Sequence, residues 1–200
     1  MTEAEDEHEF LGVEWEVEVR DADGNVTDSK KGKNSLLVAM AQILYNGFDF
    51  TGVGATCRNT SNALSGGNWD ASISGNQAGF YCAAAISQSN YGIVVGRGNT
   101  AVTVDDYKLE TQATHGTGAN QFTHMAGTVN AVVNASPRSS VRIDRQFTNG
   151  SGNPITVKEL GIYAMTAGPG YHCVCRDVIA DTVVANGSSL FVKYTLYITI

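Results

Sequence analysis

The sequence predicts a mainly β chain, an antiparallel β-sandwich of jelly-roll-like type with one α-helix in its N-terminal region. Three observations predict it. Several stretches alternate apolar and polar side chains with a period of two, the mark of a strand with one buried face. Short breaks rich in Gly and Asn separate them, and Gly supplies 22 of 200 residues against 3 Pro. Only 16% of the residues are charged, unlike a disordered chain, in which charge and Pro rise together. A chain of this length buries about 70% of its unfolded surface as one domain and needs no staple.

The elements follow in order. Residues 1–9 form an acidic N-terminal arm carrying Glu3, Glu5, Asp6, Glu7 and Glu9, read as a solvated terminus in preference to a docking tail. Residues 10–200 form the single sandwich domain. Phe10 to Arg20 alternates, with Val13, Trp15, Val17 and Val19 set against Glu14, Glu16, Glu18 and Arg20. Asp21-Ala22-Asp23-Gly24-Asn25 then predicts a hairpin through a type I′ turn, in which Gly supplies positive φ. Val26 to Lys33 is the return strand, on a polar edge.

Asn34 stands where a helix N-cap belongs, and Leu36, Met40, Ile43, Leu44 and Phe48 recur at helical spacing. Gly47 falls at the expected C′ position, with Gln42 and Asn46 outward. Residues 50–90 read as a long irregular insertion anchored by Trp69 and Phe80-Tyr81. Strand pattern resumes at Ile93 to Val95, and continues after a turn at Gly96 to Asn99 with Ala101 to Val104. His115 to His124 is a polar loop, and Val129 to Val133 a short strand.

The last sixty residues carry the clearest signal. Val141, Ile143 and Phe147 alternate with Arg142, Asp144 and Gln146. A turn at residues 149–154 separates them from a second alternating run, Ile155 to Tyr163. The closing run puts Leu190, Val192, Tyr194, Leu196, Ile198 and Ile200 on one face, and is expected to lie inside its own sheet.

The four cysteines divide into two pairs. Cys57 and Cys82 flank the insertion and leave two alternatives open, a disulfide pinning it or free thiols. Cys173 and Cys175 lie two apart in a strand, so both are expected on one face as free core thiols.

Motifs that carry chemistry fail one by one. The Asp21 run lacks the Gly and the Glu that a calcium loop requires at its sixth and twelfth positions. Gly96-Arg97-Gly98-Asn99-Thr100 lacks both the third glycine of a dinucleotide fingerprint and the Lys-Ser/Thr of a phosphate loop, so a tight turn is expected. His172, Cys173 and Cys175, with His115 and His124, lack the paired spacing of structural zinc. No Gly-x-Ser-x-Gly elbow is present, and the adjacent Asp105 and Asp106 would face opposite sides of a strand. The expectation is therefore no catalytic residue, no metal and no cofactor. A net charge of −7 speaks against nucleic acid as a partner. The longest apolar stretch, Leu36 to Tyr45, is too short to cross a bilayer, and the acidic first nine residues lack the basic start of a secretory signal.

Three segments carry a resemblance: residues 26–37 (VTDSKKGKNSLL); residues 91–110 (YGIVVGRGNTAVTVDDYKLE) with the GTGANQ run from Gly116; and residues 145–163 (RQFTNGSGNPITVKELGIY) with Arg176-Asp177-Val178 beyond. In these the chain resembles small structural proteins of tailed bacteriophages and prophages. The resemblance implies a virion component, a capsid decoration or a head, neck or tail accessory subunit. It would be made in the host cytoplasm and would act through surfaces shared with its own copies and other virion proteins. The resemblance brings no site residues, and it stops at residues 50–90, the expected place of particle-specific contacts. Two other readings stand beside it. One is a carbohydrate-binding or adhesion module, with Trp69, Tyr81 or Tyr91 stacking on a sugar. The other is a self-assembling filament subunit whose closing strand completes a neighbour's sheet.

Overall fold

The structure, a computed structural model, describes residues 11–34, 36–48, 56–66, 81–166 and 170–199. The acidic arm, Trp69, Ile200 and, within the 50–90 insertion, residues 50–55 and 67–80 lie outside them. The fold is mainly β with antiparallel sheets and, among the described residues, one helix. The larger sheet runs in the order β2 (Val26–Asn34), β1 (Leu11–Arg20), β12 (Ser189–Thr199), β9 (Arg138–Thr148), β6 (Thr123–His124). Two short strands, β7 (Thr128–Val129) and β8 (Val133–Ala135), also pair with β9. The smaller sheet is β11 (Tyr171–Val184), β10 (Ile155–Met165), β5 (Gly92–Gly96). The closing strand is internal, held between β1 and β9.

Alternation decides which faces meet. Val13, Val17 and Val19 of β1, Leu190, Val192 and Tyr194 of β12, and Ile143 and Phe147 of β9 are buried. They form one core cluster with Ile93, Val95, Val157, Leu160, Ile162 and Ile179 of the smaller sheet. Each such side chain contributes roughly 1.5–3 kcal/mol by leaving water, so this contact holds the two sheets together. The alternation fades at the end of β12, where Leu196 is half-buried and Ile198 exposed.

β10 breaks the two-period pattern, being buried almost throughout from Glu159 to Ala164. It is the central strand of its sheet and is covered on both faces. The second cover is a small cluster of Leu37, Val94, Leu109, Tyr163 and Cys173 with Val102 packed against it. Residues 97–111 therefore lie over the outer face of the smaller sheet. They form no strand, and the expected strand at Ala101 to Val104 is replaced by irregular backbone and a turn.

The N-terminal hairpin forms, with a different turn. The Gly24 amide donates to the Asp21 carbonyl (3.1 Å) and Asp21 N–H to Asn25 C=O (3.0 Å). Only Gly24 has positive φ (88°), so the loop has three residues ending on a left-handed glycine. The Asp21 carboxylate braces it by accepting from the Asp23 and Asn25 amides. The helix also shifts. α1 spans Val38–Phe48, so Asn34 belongs to β2 and Gly47 lies inside the helix. Its first N–H group has another acceptor: Val38 donates to the Val104 carbonyl (3.1 Å), while Leu37 N–H binds the Val174 carbonyl (3.0 Å). A side-chain cap is unnecessary where tertiary carbonyls satisfy the terminus. Met40 and Ile43 enter the main core.

Cys57 and Cys82 are both buried in the main core cluster. Cys57 lies on β3 (Thr56–Arg58), which pairs with β4 (Leu64–Gly66) in a short hairpin. Cys173 and Cys175 do not share a face. Ile162 pairs with Cys175 and its neighbour Tyr163 with Cys173, leaving Val174 as an extra residue. That bulge reverses the side-chain phase, placing Cys175 between the sheets and Cys173 in the outer cluster.

Candidate functional site

The densest polar cluster lies where residues 97–111 cover β10. Glu159 occupies an outward position on β10 and is fully buried by this cover. Its carboxylate accepts from the amides of Gly98 (2.9 Å), Glu110 (2.9 Å) and Thr111 (2.7 Å). The Arg176 guanidinium, 2% exposed on β11, reaches Glu159 (3.2 Å), Asp106 (2.7 Å) and the carbonyl and hydroxyl of Thr100 (3.1 and 3.2 Å).

The glycine run is explained by this approach. A Cβ on Gly96 would stand 2.5 Å from a Glu159 carboxylate oxygen and 2.6 Å from the Thr111 carbonyl. The run resembles a phosphate loop because its amides do converge on an anion. That anion is the protein's own: Gly98 N–H binds Glu159, and the Asn99 and Thr100 amides bind Glu110, both at 2.9 Å.

Electrostatics match the geometry. Burial works against the Arg176 charge, but the Asp106 bond and the charges of Asp106 and Glu159 outweigh it and raise its pKa. Burial pushes the Asp106 carboxyl up, while the Thr103 amide and the Arg176 guanidinium more than offset this and hold it below the usual range. Thr100, through its amide and hydroxyl, lowers the Glu110 carboxyl. Asp105 and Asp106 sit in a turn, where Asp106 binds Thr103 and Arg176 and Asp105 is exposed. Above the cluster a shallow cavity of about 200 Å³ is bordered by Thr100, Asp106, Tyr107, Lys108, Glu110 and Arg176.

A second cluster surrounds Arg145, on the inward face of β9. It is 2% exposed and bonds five backbone carbonyls, those of Ala85, Gln88, Tyr91, Ile93 and Met125. Burial lowers its pKa to about 10. It braces residues 85–93 in the way Arg176 braces 100–106.

Beside it, His115 and His124 do come together, with ring centroids 5.7 Å apart and the His124 amide donating to His115 Nδ1 (3.0 Å). His124 Nδ1 faces the Gln88 carbonyl (3.1 Å), with Ser89 Oγ at 3.4 Å. A nitrogen that donates to a carbonyl cannot accept a serine proton. Burial, with the Arg145 and His115 charges, lowers His124 to about 4. His172 stands apart, near the Arg58 carbonyl (3.3 Å). Burial pushes Cys82 up to about 12 and raises Cys173 and Cys175 further, whereas metal binding needs thiolates. Among the described residues no three His, Cys, Asp or Glu side chains are placed to hold a metal.

Of the aromatic candidates, Tyr81 packs on Tyr91 (5.7 Å), and Tyr91 stacks on Tyr171 at 6.1 Å and 5°. All three are half-buried. Glu159, Arg176 and Arg145 escape motif reading because each stands beside another charged residue in a strand, Lys158, Asp177 and Asp144, and forms no recognisable motif with it. A signal for Arg145 was present: it stands in phase with Val141, Ile143 and Phe147, the inward-facing set. Comparison of the chain with protein-family models, with curated proteins and with solved structures returns no match.

Proposed function

We propose that the protein is a structural subunit of a tailed-phage virion, a capsid decoration or a head, neck or tail accessory. It acts through protein surfaces in contact with its own copies and other virion proteins. The observation that carries this reading is a set of exposed apolar side chains in the segment that pairs along the flank of β9. Val129, Val132 and Val133 are 45%, 62% and 61% exposed within five residues. Val129 also borders an apolar groove of about 200 Å³ with Met40, Leu44, Val141 and Leu196. Exposed apolar side chains gathered in one short segment, beside an apolar groove, suit a protein contact. The inward use of the conspicuous polar groups supports the same reading: the amides of the glycine run, Arg176 and Arg145 all brace loops.

Strand edges contribute less. β2 carries Lys30, Lys31 and Lys33, and at β11 the Lys30 amine bonds the Asp181 carbonyl (3.2 Å) while Lys158 pairs with Asp181 (3.3 Å). Lysine on an edge discourages strand addition, which weighs against a filament built by β-pairing. The carbohydrate-binding alternative rests on the Tyr81, Tyr91 and Tyr171 row, whose rings already face one another.

The test replaces Val132 and Val133 together by Asp. Both are exposed, so unfolding should move by no more than about 0.5 kcal/mol, while copies per purified particle should fall at least tenfold by quantitative mass spectrometry. Particles that lack the wild-type protein, or a gene set among metabolic enzymes, would overturn the reading.

A further inference from the structure

On the other face of β11 from Arg176, a carboxylate is buried in the seam between the two sheets. Asp177 pairs with Leu160 across the smaller sheet and is 7% exposed. The Tyr194 hydroxyl, from β12, donates to it at 2.8 Å, and the Trp15 side chain of β1 donates as well. Two side chains of the larger sheet thus converge on one carboxyl of the smaller.

Among the described residues the surrounding elements supply no counter-charge. From β12 the facing group is Tyr194 itself, and from β11 the thiol of Cys175, whose burial keeps it neutral. On the far side of β11, Arg176 is committed to Asp106 and Glu159, the latter from β10. From β2, Lys30 spends its amine on Asp28, the Asp181 carbonyl and the Thr182 hydroxyl. Among the described residues no cation bonds Asp177. A neutral carboxyl can accept from both donors at little cost, whereas an isolated anion there is penalised by desolvation.

We propose that protonation of Asp177 controls the seam between the two sheets: the neutral acid closes it, and ionisation loosens β11 from β1 and β12. This inference does not depend on the assembly role. Burial is the dominant influence on the carboxyl and outweighs the Tyr194 and Trp15 bonds, raising its pKa from 3.8 to about 7. The folded state therefore holds a proton that the unfolded chain releases near pH 4. The stabilisation is complete below that value and is lost as pH rises through about 7. The full shift corresponds to a change on the order of a thousand-fold in the folding equilibrium.

Buried His124 titrates with the opposite sign over an overlapping range, since its lowered pKa of about 4 makes stability rise with pH. The wild-type profile alone is therefore not diagnostic, and the test is a difference. Urea unfolding of the wild type and of Asp177→Asn is measured from pH 4 to 8. The ratio of their folding constants should move by at least a hundred-fold towards the variant as pH rises, because the amide cannot ionise. In parallel, the side-chain carboxyl carbon of Asp177 is titrated by NMR in the wild type, which needs no variant to fold. A midpoint between pH 6 and 8 supports the proposal. A midpoint near 4, or a ratio independent of pH, overturns it.

Discussion

Arg145 and Arg176 are the same residue type, equally buried at 2% exposure, and the protein accommodates their charges in opposite ways. Arg176 meets two carboxylates, Asp106 and Glu159, and its charged form is favoured. Arg145 meets five carbonyl dipoles with no carboxylate bonded to it among the described residues, and burial disfavours its charge. The difference follows from what each arginine organises. Arg176 fastens a loop that carries its own acids, so charge neutralises charge. Arg145 lies beneath a segment whose carbonyls have no strand partner, and a five-donor fork replaces the missing ladder. Both act as local scaffolds for backbone outside the sheets.

The contrast can be broken by removing one partner at a time. The largest effect is expected at Glu159→Gln, which leaves Arg176 short of one charge and turns an amide N–H₂ towards backbone donors. Unfolding free energy should fall by about 3–5 kcal/mol in urea titration. A loss under 1 kcal/mol would mean that the loop re-satisfies itself. Arg145→Met should cost less, about 2–3 kcal/mol, because the carbonyls it orphans are partly offset by relief of an unpaired cation. Its signature is local: hydrogen exchange should accelerate at Gly92 to Val95 and leave Glu110 and Thr111 protected. Equal acceleration in both loops would merge the two regions into one.

The smallest effect is expected on the open face of the larger sheet. There Glu18 is bonded by Arg20 (2.6 Å) and Lys193 (3.1 Å), and these bonds lower its pKa to about 2. A depressed carboxyl stabilises the fold above its unfolded value near 4.5 and loses that contribution as pH falls through about 2. Glu18→Gln should thus cost about 0.5–1 kcal/mol at pH 6, with the gap to wild type closing between pH 4 and 2. A gap that persists at pH 2 would assign the effect to packing.

Particular residues show how far the sequence could be read. The strand at Val13 to Val19 and the closing run from Leu190 were legible because alternation is a local property. The hairpin was legible at Asp21 to Asn25, but its turn type was not, since Asp-Gly serves loops of two residues and of three. Gly96 to Thr100 reads as a tight turn, whereas residues 97–100 are irregular backbone following β5, and the reason for the glycines was not legible. Glu110 lies 11 residues beyond Asn99 and Glu159 61 residues beyond Gly98, and only folding brings them to those amides. Cys173 and Cys175 were assigned to one face because a regular strand demands it, and a single bulged Val174 undoes the rule.

By itself the sequence determined the mainly β class, the long strands of the larger sheet, the helix after β2 and the inward face of the larger sheet, all of which depend on side-chain period along one segment. Only the tertiary structure decided which strands flank β12, that β10 is covered twice, and that two arginines and Asp177 are buried without a motif. Those outcomes depend on which segments meet, and the energy of a charged group is set by the neighbours that replace its water.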